Sequence, residues 1–82
     1  MSQRKTSDGI RHADCLRVAE QAGAAIRYGG RHEYILKYEN MRPCPLAAST
    51  NARTMLAPWL ARATGRDRQE VYEALRRGDW DN

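Results

Sequence analysis

The stretch Gly29-Gly30-Arg31-His32-Glu33-Tyr34-Ile35-Leu36-Lys37-Tyr38 decides how the chain folds. Two glycines supply the positive φ of a tight hairpin turn. Strict alternation then gives the following strand two faces. His32, Tyr34, Leu36 and Tyr38 share one, and Arg31, Glu33, Ile35 and Lys37 share the other. The first face suits a core, with His32 at its rim. The second is mostly charged and faces solvent or a ligand.

Working outward, residues 24–28 form the partner strand, with Ala24, Ile26 and Tyr28 on one side and Arg27 on the other. Glu39-Asn40-Met41 makes a second turn. Residues 42–46 make a third strand, which Pro43 and Pro45 confine to a sheet edge because proline donates no ladder hydrogen bond. Cys44 and Leu46 then face inward. Before the hairpin, a helix spans residues 9–22, capped by Ser7 or Asp8 and stopped by Gly23. His12 lies on it as a surface or half-buried residue without a chemical role.

After the sheet, Ser49, Thr50 or Asn51 caps a helix carrying Met55, Leu56, Trp59 and Leu60. Pro58 forces a kink or a start near Ala57. Trp59 is expected to contribute most to the core. Asp67 and Glu70 form a capping box for a last helix to about Arg77, where Val71, Ala74 and Leu75 make a narrow apolar stripe and Glu73 pairs with Arg77. Trp80 is expected to fold back over the core. The fold class is therefore α+β: α-β-β-β-α with a three-stranded antiparallel sheet, helices on one face, and an extra C-terminal helix. Residues 1–7 read as a disordered basic arm, 8–65 as the domain, and 66–82 as a helix and tail packed on it.

The chain of 82 residues holds one small domain with a thin core; 41% of residues are apolar and none is Phe. Net charge is +4, and 12 of the 14 cationic residues are Arg, whose planar fork grips phosphate or carboxylate with two bonds. This balance points to nucleic acid or an acidic protein surface. No stretch suits a membrane helix or signal peptide, so a cytoplasmic setting with Cys15 and Cys44 as free thiols is expected. A metal site would need His12, Cys15, His32 and Cys44 to converge, and neither a metal nor another cofactor is expected. Ser-His-Asp order, a phosphate-binding glycine loop and paired carboxylates are all lacking.

The element order and the residues Gly29-Gly30-Arg31-His32-Glu33-Tyr34 resemble HicA toxins, small mRNA-cleaving proteins with a double-stranded-RNA-binding fold. The likeness continues through Pro43 and Pro45, the loop Ala48-Ser49-Thr50-Asn51, and a helix with Arg53, Met55, Leu56, Leu60 and Arg62 ending at Gly65. Arg31 stands where a small residue is usual, and the last helix and Trp80 extend past the usual end. The resemblance implies a metal-independent endoribonuclease with His32 as its catalytic residue. Arg27, Arg31, Lys37, Arg53 and Arg62 would contact RNA or another partner, and an antitoxin would cover the site. An imidazole suits transesterification because its pKa lets it act as base or acid.

The alternative is a non-catalytic, phage-type inhibitor or binding module that blocks a host protein or nucleoprotein complex. Its contact surface would be the outer sheet face or the last helix with Tyr72, Arg76 and Arg77. A monomer or a homodimer fits either reading.

Overall fold

A computed structural model describes residues 4–29 and 34–80. The order is α1 (His12–Gln21), β1 (Ala25–Tyr28), β2 (Tyr34–Lys37), β3 (Cys44–Leu46), a π-helical turn (Ala52–Leu56), α2 (Ala57–Thr64) and α3 (Arg68–Arg77). The strands form an antiparallel meander in the order β1-β2-β3, so the α+β class and the element order are as the sequence indicates.

Register follows the alternation. Ile26 pairs with Leu36, Leu36 with Cys44, and Tyr34 with Leu46. Leu36, Cys44 and Leu46 are buried, and they meet Val18, Leu56, Leu60, Val71 and Leu75 from the helical layer in one core. Arg27, Lys37 and Pro45 are exposed on the opposite face. The last described pair of the hairpin is Tyr28 with Tyr34. Gly30, Arg31, His32 and Glu33 lie outside the described residues.

Pro58 is accommodated by widening the helix rather than kinking it. The Leu56 and Ala57 amides reach back five residues, to the carbonyls of Asn51 and Ala52, and Pro58 follows directly in the first turn of α2. Asn51 caps the turn by accepting from the Thr54 N–H at 2.9 Å.

Asp8 does not cap α1, which starts later than expected, at His12, with Arg11 as an N-cap that makes no side-chain bond. Its carboxylate accepts instead from the Thr6 hydroxyl at 2.6 Å, the Ala52 N–H at 2.9 Å and the Arg53 N–H at 3.1 Å. Asp8 thus caps a helix that begins more than forty residues later. Burial alone would raise its pKa, but these hydrogen bonds outweigh burial and hold it below the ordinary carboxylate value. A carboxylate depressed by folding stabilises above its unfolded pKa and loses that contribution as pH falls through the folded one. Asp8→Ala is expected to cost about 1–2 kcal/mol at neutral pH and to blunt the acid-side loss of stability below about pH 4. Urea unfolding at several pH values checks both.

The segment expected as an arm is tied down from Arg4 onward. The His12 N–H donates to the Arg4 carbonyl, Thr6 N–H to Ile10, and Ser7 N–H to Thr50. A second clamp holds the other end of α1. Arg17 donates to the Gly78 carbonyl at 3.3 Å, and the Trp80 N–H donates to Gln21 Oε1 at 2.7 Å. Gly78 ends α3 at φ +76, and a Cβ there would lie 2.7 Å from Asp14 Oδ1, so only glycine suits this approach.

Two expectations need correction. Trp59 is only partly buried; its indole donates to the Arg42 carbonyl and meets Tyr38 edge-on. Trp80 is the buried indole, folded back as expected. The Glu73–Arg77 pair gives way to other partners, because Gln69 donates to Glu73 and Arg77 donates to the Asp79 carbonyl.

Candidate nucleic-acid interface

Burial of Val71, Ala74 and Leu75 fixes the rotation of α3. That rotation brings Arg68, Tyr72 and Arg76, spaced four apart, onto one flank, where the two arginines are exposed and Tyr72 is half-buried against the core. The π-helical turn lies beside this flank and sets the Arg53 guanidinium 5.6 Å from the centre of the Tyr72 ring. Tyr72 separates two hollows. Lys5, Arg11 and Arg76 line one, with Asp8 and Asp14. Arg53 and Arg68 line the other, with Asp67.

The acidic groups of this face are all engaged. Asp8 caps the π-helical turn. Asp14 pairs with Arg11 at 3.0 Å and Arg17 at 3.9 Å. Asp67 caps α3 by accepting from the Gln69 N–H at 3.0 Å. The side chains of Lys5, Arg68 and Arg76, by contrast, have no hydrogen-bond or ion-pair partner among the described residues. The face therefore has spare cationic donors, while its carboxylates are occupied by hydrogen bonds or, for Asp14, by ion pairs.

Of the contact residues that the HicA resemblance implies, only Arg53 belongs to this face. Arg27 and Lys37 lie diagonally across β1 and β2 on the outer side of the sheet, and Arg62 is exposed on α2. Arg31 and His32 fall outside the described residues. Sequence reasoning named Tyr72 and Arg76 but missed Lys5 and Arg68. The four-residue spacing in α3 carried the signal for Arg68.

The thiols are chemically quiet. Burial pushes Cys15 up to about 12 and Cys44 up to about 11. Among the described residues no three His, Cys, Asp or Glu side chains come together as a metal-ligand set. No helix is long and apolar enough to cross a membrane. In comparisons with known proteins, no family model, curated protein or solved structure matches the chain.

Proposed function

We propose that this chain binds nucleic acid by its phosphate backbone, through the helical face around Tyr72. The observation that carries this is the contrast between engaged carboxylates and partnerless Lys5, Arg68 and Arg76. Arg53 covers one face of the Tyr72 ring, so the aromatic orients a cation rather than offering that face to a base. Contacts of this kind position a duplex or strand without reading its sequence.

The test is affinity for a mixed-sequence RNA and DNA, single- and double-stranded, over a range of salt. The triple variant Lys5→Gln, Arg68→Gln, Arg76→Gln is expected to flatten the log–log salt dependence by about 2–3 units and to weaken binding uniformly across sequences. Arg27→Gln with Lys37→Gln on the sheet is expected to change little. Equal losses from both variants would place the contact elsewhere. No binding even at low salt would move the reading to the alternative, a module that blocks a host protein or nucleoprotein complex.

The second reading is RNA cleavage by His32, as the HicA resemblance implies. It is supported by the α-β-β-β-α order. Unchanged RNA cleavage and cell toxicity in His32→Ala would remove it. An antitoxin is the natural partner in this reading, and both readings place the protein in the cytoplasm.

A further inference from the structure

The N-terminus of α1 opens onto a cleft that the phosphate-gripping face does not use. It has a volume of about 280 Å³ and is lined by Arg4, Arg11, His12, Ala13, Leu16 and Tyr34. That volume lies at the small end of ligand pockets. Three features give it a chemical character. Ala13 and Leu16 with the Tyr34 ring make a flat apolar wall, and Tyr28, 62% exposed, meets Tyr34 edge-on at 5.4 Å. The start of the helix supplies positive potential: Arg11, as N-cap, makes no side-chain bond to it, and the Ala13 N–H donates to no described residue. Arg4 adds a cationic side chain at the rim, and so does Arg11, whose guanidinium also holds Asp14.

The His12 ring is an independent observation. It is 3% exposed, and neither ring nitrogen has a hydrogen-bond partner. Both nitrogens are enclosed, and the Ala47 backbone approaches the ring without reaching hydrogen-bond geometry, so His12 forms a neutral, buried part of the cleft lining. Asp14, the carboxylate of this helix turn, belongs to the hollow on the other side and is held by Arg11 and Arg17. The cleft therefore presents no described acidic side chain.

We propose that this cleft binds a nucleotide unit. The base lies against Tyr34 and Leu16, and the phosphate sits at the α1 N-terminus between Arg4 and Arg11. Arg11 also borders the Tyr72 face, so a strand gripped there can lead one unpaired nucleotide into the cleft. The site stands on its own geometry and does not require that grip.

The test is titration of the full chain with uridine and adenosine monophosphates, followed by amide NMR shifts, with nucleoside alone and inorganic phosphate as separate arms. The expected result is saturable shifts at Ala13, Leu16 and Tyr34, with either half-ligand binding at least about tenfold more weakly. Ala13→Glu places an acid in the first turn, which suits the helix, but repels phosphate. It is expected to keep the melting temperature and to weaken the monophosphates by about tenfold or more. No saturable shift, unchanged affinity in Ala13→Glu, or phosphate binding as tightly as the nucleotide each overturns the proposal. Shifts confined to Arg68, Tyr72 and Arg76 also overturn it, while supporting the backbone-binding face.

Discussion

Trp80→Ala is expected to destabilise the protein by about 3 kcal/mol or more, the range for removing a buried tryptophan. Trp80 follows the last helix and would ordinarily be read as part of a tail. Yet it is 9% exposed, its N–H is held by Gln21, and the Arg66 guanidinium lies 5.3 Å from its ring centre. Its indole borders a small cleft with Val71 and Ala74, two residues of the core stripe of α3. Domains of this size are stable by only about 5–10 kcal/mol, so the loss corresponds to a fall in melting temperature of roughly 12–24 °C. Trp59→Ala provides the contrast. That indole is half-buried, and its loss is expected to cost about 1–2 kcal/mol, chiefly one hydrogen bond to the Arg42 carbonyl and an edge contact with Tyr38. Thermal melts of both variants decide the order. A Trp80→Ala loss below about 1 kcal/mol would mean the indole is not part of the core.

Stability is expected to fall as pH drops below the ordinary histidine value of 6.5, with His12 as the cause. Burial pushes its pKa down, and the Arg4 charge adds to this, while the Ala47 backbone opposes it without reaching hydrogen-bond geometry. The native state keeps the ring neutral, whereas the unfolded chain protonates it near 6.5. Protonation therefore makes no difference above that pH, and stability is lost as pH falls from there toward the depressed native pKa. The ring also leaves two polar atoms unsatisfied at any pH. His12→Leu removes both penalties. It is expected to raise stability at neutral pH by about 1–3 kcal/mol and to flatten the profile between about pH 7 and pH 5. Urea unfolding across that range measures it. A slope unchanged by the substitution would assign the acid sensitivity to other groups.

The sheet was legible because its rules are local. Period-two alternation places Leu36, Cys44 and Leu46 inward, and the missing donor of proline puts β3 at an edge. The stop glycines and the Asp67 cap are local in the same way. Features that depend on distant partners were not legible. Asp8 looks like the cap of the helix it precedes, but its partners are Ala52 and Arg53. The two tryptophans are indistinguishable by pattern, and only tertiary packing selects Trp80 for burial. His12 reads as a surface or half-buried residue because nothing local shows that Arg4 is tied back to it or that the ring is buried. Lys5 carries no local signal either, because residues 1–7 have no periodicity that would fix their place. The resemblance points to the hairpin, while Lys5, Arg68 and Arg76 lie around Tyr72 on the helical side.

The two clamps on α1 also bear on the order of events during synthesis. The helix is held at one end by Arg4 and at the other by Gly78 and Trp80, whose bonds to Arg17 and Gln21 span 61 and 59 positions of the chain. At ordinary elongation rates of about 5–20 residues per second, the segment that covers α1 follows it by roughly 3–12 s. During that interval the apolar face with Cys15, Val18 and Ala19 lacks its partners in α3, Val71 and Leu75, and the cover of Trp80. Enclosure of α1 is therefore completed only by elements made well after it, and a nascent chain stalled before Trp80 presents that face to chaperones or to other unfinished chains.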